Sequence, residues 1–294
     1  MQEFRDKVAV VTGAASGIGF AMAERFAREG MQIVLADIEA GALADADSKL
    51  RRAGAKTLAV VTDVAKGKSV EALAQKTLDT FGAVHVVCNN AGVGNPPGPI
   101  WERTVADWQW VMGVNLWGVA HGIRVFVPIL LKQGGPGHIV NTASMAGLLS
   151  SPMLGIYNAT KHAVVAISET MHAELAALGS PVKVSVLCPA FVQTRIGESN
   201  RNRPPELTDA NVDEAAMAAF TAQIQAALAA GIPPAAVADR VFDAILHEKL
   251  YILTHPEYKP LVQQHLENVI AERNPNLQEQ ASVFTDDHFA YNEG

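Results

Sequence analysis

The sequence predicts an α/β protein built on one doubly wound parallel sheet, with helices on both faces. Short apolar runs rich in β-branched residues recur along the chain, and longer segments of helical period separate them. This alternation is typical of parallel strands that are joined by crossover helices. Glycine and polar residues follow several of the apolar runs, so we expect them at the carboxyl edge of the sheet, where such folds bind ligands.

The predicted strands and helices alternate regularly as far as residue 188, and residues 189–205 form a predicted loop. The apolar runs that predict strands are Val8–Val11, Ile33–Ala36, Leu58–Val61, Val84–Cys88, His138–Asn141, Val182–Cys188 and Leu250–Leu253. The segments that predict helices are Gly17–Glu29, Leu43–Ala53, Ser69–Thr80, Val105–Leu131, Ala159–Leu178, Val212–Ala230, Ala235–His247 and Pro256–Arg273.

The chain length favours a single domain. A chain of 294 residues suits one large domain or two small ones, and no internal repeat is visible beyond the strand and helix alternation. We predict one domain over residues 1–274, with a substrate-binding elaboration at residues 189–247. Residues 275–294 form a predicted polar tail.

Composition and charge exclude several classes of protein. Hydrophobic residues make up 49% of the chain and charged residues 18%, which is typical of globular proteins. The formal net charge of -7 disfavours binding to a phosphate backbone, so no nucleic-acid partner is expected. No apolar stretch is long enough to span a membrane, and the first residues lack a secretory signal pattern. We expect a cytoplasmic protein.

The cysteines and histidines do not suggest a metal site. Cys88 and Cys188 each end an apolar run, so we interpret both as buried thiols rather than a disulfide or a nucleophile. The histidines lack the spacing of metal ligands and are interpreted as satisfied interior or surface residues.

A glycine-rich turn follows the first predicted strand and opens the first helix. Glycines at this place allow a tight turn, and they let a pyrophosphate approach the N–H groups and positive dipole end of the helix. The spacing is not Gly-x-Gly-x-x-Gly, so the position between strand and helix carries the prediction of a dinucleotide site. The candidate binding residues in this turn are Gly13, Ser16, Gly17, Ile18 and Gly19.

Asp37 ends the second predicted strand and favours NAD over NADP. A carboxylate at this position accepts hydrogen bonds from a ribose 2′-hydroxyl and repels a 2′-phosphate. Ile38, a further candidate contact with the cofactor, follows it, and the glycine turn contains no lysine or arginine, so no cation is expected to be placed to receive the phosphate. The alternative role of Asp37 is a helix cap.

Four polar residues form a candidate catalytic group. Tyr157 and Lys161 are four residues apart in a helical stretch, so their side chains share one face, and a nearby ammonium favours the phenolate form of a tyrosine. Ser144 follows a predicted strand, where its hydroxyl can donate to a substrate oxygen. Asn115 lies within the predicted helix Val105–Leu131; its alternative role is a satisfied interior amide.

Taken in order, these motifs resemble those of the short-chain dehydrogenases/reductases, over residues 5–195. The resemblance implies a Rossmann-type sheet, Tyr157 as general acid/base, and Lys161 as the residue that lowers its pKa and binds the nicotinamide ribose. It implies that Ser144 orients the substrate oxygen and that Asn115 holds a water for proton relay. The matching positions are the glycine turn at 12–19, Asp63, Asn89–Gly92, Asn115, Ser144, Tyr157, Lys161 and the segment from Pro189 to Thr194.

The resemblance also implies further contacts with NAD, the expected cofactor. The implied contacts are Asp63 and Val64 with the adenine, Asn90, Ala91 and Gly92 with the adenosine ribose, and Val192 and Thr194, after Pro189, with the nicotinamide carboxamide. The family pattern has Pro-Gly where this chain has Pro189-Ala190, which predicts a slightly different backbone there, since alanine does not adopt positive φ cheaply.

The expected substrate is a hydrophobic or aryl secondary alcohol or ketone, because the predicted pocket wall is mostly apolar. Residues 196–210 are a predicted lid over the site. The alternatives are an NADPH-dependent carbonyl reductase and a catalytically silent NAD-binding regulatory protein. We expect a homotetramer or dimer that assembles through the helices at 105–131 and 159–178. The predicted wall residues are Val93, Asn95, Met145, Leu148, Met153, Leu154, Phe191 and Arg195.

Overall fold

A parallel sheet forms the centre of the molecule, as predicted. The computed structural model describes residues 1–208 and 214–275. Its strands are β1 Val8–Thr12, β2 Gln32–Asp37, β3 Thr57–Val61, β4 Val86–Asn89, β5 Gly137–Thr142, β6 Val182–Cys188 and β7 Tyr251–Leu253. They form one seven-stranded sheet in the order β3-β2-β1-β4-β5-β6-β7, and every pairing is parallel.

Helices cover both faces of this sheet. The helices are α1 Gly17–Arg28, α2 Ala40–Arg52, α3 Gly67–Phe81, α4 Val105–Met112, α5 Gly118–Gln133, α6 Gly155–Ala177, α7 Glu214–Ala230, α8 Pro234–Leu246 and α9 Lys259–Ile270. The strand order reverses between β1 and β4, and an open parallel sheet binds ligands in the crevice at such a switch point. The doubly wound, Rossmann-type fold is therefore confirmed.

The all-apolar strand runs are explained by burial on two faces. Along β1, Ala9 and Val11 belong to a core with Phe26 of α1, whereas Val8 and Val10 belong to a second core with Phe126 of α5. Successive side chains of a strand point to opposite faces, so a strand covered on both sides has no solvent-facing position, which favours apolar residues along its whole length.

The region after residue 189 is part of the same sheet. β7 pairs with β6, and α8 packs against α1 on one face. The sheet therefore continues into the C-terminal region as a single unit. The domain limit at residue 274 stays a prediction, and residues 276–294, most of the predicted tail, lie outside the described residues.

Two predicted helices differ in detail. The predicted helix Val105–Leu131 is divided, because a π-helical turn at Gly113–Trp117 separates α4 from α5. Uniform apolar spacing does not reveal such a turn. The segment Pro256–Arg273 begins as a 3₁₀ turn at Pro256–Tyr258, and α9 starts only at Lys259, with Pro260 in its first turn, where a missing N–H costs nothing. The first residues of the predicted helix Val212–Ala230 lie outside the described residues.

Among the described residues, one helical stretch, Val105–Gln133, has the length and mean hydropathy of a possible membrane span. A third of its most apolar window is buried inside the fold. Phe126 and Leu130 of this stretch are fully buried in the core beside the sheet.

Candidate active site

A cavity of about 340 Å³ lies at the carboxyl edge of the sheet, and nearly all predicted site residues line it. Asn115 is the exception; it is fully buried behind the cavity wall. The predicted residues that line the cavity are Gly13, Ser16, Gly17, Ile18, Gly19, Asp37, Ile38, Asp63, Val64, Asn90, Ala91, Gly92, Ser144, Tyr157, Lys161, Pro189, Val192 and Thr194.

The glycine turn fits a pyrophosphate. Gly13 and Gly17 have φ of 64° and 55°, which favours glycine at both positions. A Cβ at Gly19 would lie 2.1 Å from the carbonyl oxygen of Gly13, so the loop can pack this tightly only with glycine. No side chain caps the N-terminus of α1 at Ser16. The first N–H groups of the helix are thus left for an anion.

The Asp37 carboxylate links the glycine turn to the end of β2. One oxygen accepts from the backbone N–H of Ala15 at 3.0 Å, and the other accepts from that of Glu39 at 3.0 Å. A carboxylate has about four acceptor sites, so each oxygen keeps capacity for a ribose hydroxyl. The N–H of Glu39 belongs to the residue before α2, and α2 has no side-chain cap hydrogen bond, so Asp37 does not cap this helix as the sequence allowed.

Thr12 and Asn90 join the ends of β1 and β4. The Thr12 hydroxyl accepts from the backbone N–H groups of Asn90 at 2.9 Å and Ala91 at 3.0 Å, and it donates to the Cys88 carbonyl at 3.2 Å. The Asn90 amide donates to the Thr12 carbonyl at 2.9 Å. These bonds fix the segment from Asn90 to Gly92 against the glycine turn.

Tyr157, Ser144 and Lys161 face the cavity together. The first turns of α6 place Lys161 Nζ 5.4 Å from the centre of the Tyr157 ring. Lys161 is buried and donates to the Thr142 carbonyl at 3.0 Å. Burial lowers the pKa of the Lys161 ammonium to about 8. Burial raises the pKa of the Tyr157 phenol, and a hydrogen bond with Ser144 lowers it. Ionisation of Tyr157 therefore depends on its polar neighbours.

Asn115 lies in the π-helical turn and holds the backbone beside the cavity. Its amide oxygen accepts from the Val93 N–H at 2.8 Å, and its Nδ2 donates to the Val93 carbonyl at 3.0 Å. A Cβ built on Gly92 would lie 3.4 Å from Asn115 Oδ1 and 3.6 Å from Lys161 Nζ. Asn115 is thus the satisfied amide that the sequence allowed, and its amide oxygen and the Lys161 ammonium both lie close to Gly92. π-helical turns are frequent at functional sites.

Comparison with known proteins identifies the family. The family model described as short chain dehydrogenase matches residues 7–205. The chain belongs to the short-chain dehydrogenase family. As a member of this family it is an oxidoreductase.

Relatives with known names match nearly the whole chain. A CLA biosynthesis dehydrogenase/reductase of Lactiplantibacillus plantarum is 34% identical over 94% of this chain and 98% of its own. A C alpha-dehydrogenase of Sphingobium sp. is 32% identical over 92% of this chain and 87% of its own. A short-chain dehydrogenase/reductase from Burkholderia phymatum, solved in complex with NAD, is 49% identical, with a TM-score of 0.92 over 94% of this chain and 98% of its own.

Part of the cavity of this short-chain dehydrogenase was not predictable from sequence. Arg201 follows the loop after β6 and reaches the end of β2, where its guanidinium donates to the Glu39 carboxylate at 2.7 Å and 3.0 Å. Asn202 donates to the same oxygen at 2.8 Å. Arg201 and Asn202 hold the pKa of the Glu39 carboxyl below its ordinary value. The expectation that no cation lies at the Asp37 end of the cavity is therefore wrong, because the fold brings Arg201 there from a distant segment, and Glu39 neutralises it.

The same loop is fastened at two more places. Its two 3₁₀ turns are Ile196–Asn202 and Pro205–Leu207. The Ser199 hydroxyl accepts from the Gly94 N–H at 2.9 Å. Arg203 pairs with the buried Asp107 of α4 at 2.8 Å and lies over the Trp110 ring, 5.1 Å from its centre. The described part of the predicted lid, residues 196–208, is therefore held in place by these contacts and closes one side of the cavity.

The predicted apolar wall is partly wrong. Leu148 packs into a core cluster beneath the site, because the short 3₁₀ turn Met145–Gly147 directs it away from the cavity. Met153 has φ of 67° and is exposed beside the site. Neither residue lines the cavity. The sequence missed Trp110, Val114, Ile224, Leu228 and Tyr258, which do line it.

Proposed function

We propose that this protein is an NAD-dependent dehydrogenase that interconverts hydrophobic secondary alcohols and ketones, with Tyr157 as the proton-transfer residue. The observation that carries the proposal is that Tyr157, Ser144 and Lys161 face the same cavity as the glycine turn and Asp37. A bound nicotinamide supplies the acceptor or donor of the hydride. The chain supplies the positions and the proton transfer.

In the proposed mechanism, the Tyr157 hydroxyl exchanges the proton of the substrate oxygen. Ser144 is suited to hold that oxygen, because the Ala146 N–H fixes its hydroxyl oxygen at 3.1 Å. Its single hydrogen is donated to the Pro189 carbonyl at 3.2 Å in this structure and would rotate to the substrate oxygen. The Lys161 ammonium stabilises the Tyr157 phenolate electrostatically. We assign Asn115 to the support of this group, because its amide oxygen and the Lys161 ammonium both lie close to Gly92.

Asp37 and Glu39 support the choice of NAD over NADP. Both carboxylates line the end of the cavity that is proposed to receive the adenosine ribose, and the nearby Arg201 is already paired with Glu39. A 2′-phosphate would meet an anionic surface there. The Burkholderia phymatum relative was solved with NAD, which agrees with this choice. We assign the adenosine and nicotinamide contacts to the residues that the family resemblance implied.

A hydrophobic substrate is supported by the remaining cavity wall. The side chains that are not assigned to the cofactor are largely apolar, and apolar walls with few polar groups are typical of sites for hydrophobic ligands. Arg195 and Asn95 are polar exceptions. The main apolar wall residues are Val93, Trp110, Met145, Leu149, Leu154, Phe191, Ile224 and Leu228.

We also propose a cytoplasmic homo-oligomer, a tetramer or a dimer, with no nucleic-acid or membrane partner. The helices named for assembly expose apolar or small side chains: Val105 and Trp117 lie on the stretch 105–133, and Leu178 follows α6. Both cysteines are free and buried, which is compatible with a reducing compartment. Light scattering at micromolar concentration tests the assembly, and a dominant monomer contradicts it.

The experiment that tests the function is an NADH absorbance assay with secondary alcohols of increasing size, run beside Tyr157→Phe. We expect turnover with NAD, and a fall in kcat/KM of about 10²–10⁴ in the variant, which is the usual contribution of a general acid/base. NAD binding by calorimetry stays intact. Tyr251→Phe is the control, because Tyr251 is an exposed tyrosine that bonds only Glu169.

Three outcomes contradict the proposal or part of it. If the wild type turns over alcohols and Tyr157→Phe keeps its full rate, the proton-transfer assignment is wrong. If NAD binds and neither alcohols nor ketones of any size react, a catalytically silent NAD-binding protein becomes the better explanation. Equal affinity for NADP contradicts the role of Asp37.

A further inference from the structure

His255 follows β7 and reaches back to the loop after β6. Only 4% of this residue is exposed. Its ring lies against the backbone of Ala190 and Phe191, which are more than sixty positions earlier in the chain. Both Ala190 and Phe191 line the cavity, whereas His255 does not. The histidine thus contacts the wall of the site from behind.

The two ring nitrogens of His255 have different partners, and these fix its protonation. Nε2 lies 3.0 Å from the Phe191 carbonyl oxygen. A carbonyl oxygen only accepts, so Nε2 carries the hydrogen. Nδ1 accepts from the Ala190 N–H at 3.2 Å and lies 2.7 Å from the Thr254 hydroxyl. The ring is therefore neutral, with an unprotonated Nδ1.

The backbone that His255 holds is connected to the catalytic group. The Pro189 carbonyl accepts from the Ser144 hydroxyl at 3.2 Å and from the Met145 N–H at 2.8 Å. On the other side, the Phe191 carbonyl also accepts from the Ile232 N–H at 3.2 Å. His255 bonds the N–H of Ala190 and the carbonyl of Phe191, the two residues that directly follow Pro189. A displacement of Ala190 would therefore be transmitted to Ser144 through a single residue.

We propose that neutral His255 is a positioning residue that holds the Pro189–Phe191 backbone in the shape required to bind the nicotinamide end of NAD. This inference rests on the proposed function. Protonation of Nδ1 would place an N–H against the Ala190 N–H, so two donors would face each other and the loop would have to move. Alanine in place of the family's glycine is compatible with this arrangement, because a side-chain acceptor fixes the backbone N–H directly.

The groups around His255 favour its neutral form. Burial is the main cause that lowers the pKa of the His255 ring, and Arg240 of α8 lowers it further. Glu257 and the Phe191 carbonyl act in the opposite direction. Tyr258 presents its ring edge-on, with centroids 6.0 Å apart. The His255 ring should therefore take up a proton only at a pH distinctly below the ordinary histidine pKa near 6.5. Wild-type protein should lose NAD affinity only in that acid range.

The test is the Kd for NAD, measured by calorimetry on the full-length protein between pH 8 and about pH 5. His255→Gln keeps an acceptor and a donor but does not titrate, so its Kd should match the wild-type value at pH 8. As the pH falls, the Lys161 amine, whose pKa is about 8, gains charge in both proteins alike. The titration of His255 is therefore read from the ratio of the wild-type Kd to the His255→Gln Kd, which should rise in acid. His255→Leu removes both groups and should weaken binding about tenfold at every pH, as expected for a lost hydrogen bond that leaves a buried N–H without a partner. Wild type should weaken toward the leucine value at acid pH.

His138→Gln is the matched control. His138 is also fully buried, but it bonds Ser185 inside the sheet and does not line the cavity. Its variant should keep the wild-type pH dependence. Circular dichroism and the alcohol kinetics complete the comparison, and His255→Leu should raise the KM for NAD more than it lowers kcat.

The failures are distinguishable. If wild type does not bind NAD at all, the proposed function is wrong. If wild type binds NAD and His255→Gln shows the same loss of affinity in acid, another group titrates and the positioning role is wrong. A His255→Leu protein that folds and binds NAD with the wild-type Kd also contradicts the positioning role.

Discussion

Replacement of Lys161 by methionine should stabilise the fold while it abolishes activity. The ammonium of Lys161 is 3% exposed, and burial lowers its pKa from the ordinary 10.5 to about 8. The difference is about 2.5, and each pKa unit corresponds to about 1.4 kcal/mol, so the buried charge costs about 3 kcal/mol of unfolding free energy at pH 7. Loss of the hydrogen bond to the Thr142 carbonyl offsets about 1 kcal/mol of the gain. The net expectation is about 2 kcal/mol of stabilisation.

The pH dependence separates this electrostatic effect from better packing. Below about pH 8 the ammonium is charged in both states, and the folded chain carries the full cost. Above that pH the folded lysine is neutral while the unfolded lysine still binds its proton, so wild-type stability rises with pH relative to Lys161→Met. The difference in unfolding free energy between Lys161→Met and wild type should narrow by about 1 kcal/mol between pH 7 and about pH 9. Burial also raises the pKa of the Cys88 and Cys188 thiols. The effect of Cys88 is common to both proteins. Lys161 lowers the pKa of Cys188, so the variant raises it further, but this thiol stays protonated up to about pH 9 in both folded proteins because its pKa is already about 12 in the wild type.

The assay is urea unfolding followed by circular dichroism at one fixed protein concentration, because subunit assembly contributes to apparent stability. Lys183→Met is the control: Lys183 is partly exposed and makes weak contacts to the Ser180 carbonyl at 3.4 Å and to the Glu248 carboxylate at 4.0 Å. Its replacement should change stability by less than about 0.5 kcal/mol. A Lys161→Met protein that unfolds at lower urea than wild type at pH 7 refutes the reasoning, as does a difference in unfolding free energy that is independent of pH.

Three other substitutions test the cavity walls. Glu39→Gln should raise the affinity for NADP relative to NAD about fivefold in calorimetry, because it removes one negative charge and frees Arg201; an unchanged ratio contradicts the charge argument. Asp107→Asn should lower the free energy of unfolding in urea by about 3 kcal/mol, since it leaves the largely buried Arg103 and Arg203 without a full counter-charge. A change near zero would mean that these ion pairs do not stabilise the fold. Gly19→Ala should weaken NAD binding at least about tenfold by overpacking the glycine turn, whereas Gly41→Ala, whose new Cβ meets nothing within 4 Å, should leave it unchanged.

The parts of the site that the sequence predicted are those whose chemistry depends on a local pattern. The glycine turn needs only a strand before it and a helix after it. Tyr157 and Lys161 need only a spacing of four on one helix. Asp37 and Ser144 follow strands, and parallel strands deliver such residues to one edge. For these residues, the position in the sequence largely determines the position in the fold.

The parts that the sequence did not predict depend on pairings between distant segments. Glu39 and Arg201 are 162 positions apart, and no local signal links them. Leu148 has the composition of a pocket residue, but the turn before it directs it into the core. The π-helical turn that holds Asn115 continues the apolar period of its neighbours, so its wider turn is not visible in the pattern.

His255 shows why the choice between a structural and a functional histidine was too narrow. The sequence favoured a satisfied interior histidine, and the fold agrees, since both ring nitrogens have partners. Its partners, however, are the N–H of Ala190 and the carbonyl of Phe191, which form part of the cavity wall. A residue whose hydrogen bonds are satisfied by the backbone of an active-site loop determines the shape of that loop. The identity of the partners, rather than the presence of unsatisfied groups, therefore decides whether a buried polar residue contributes to function.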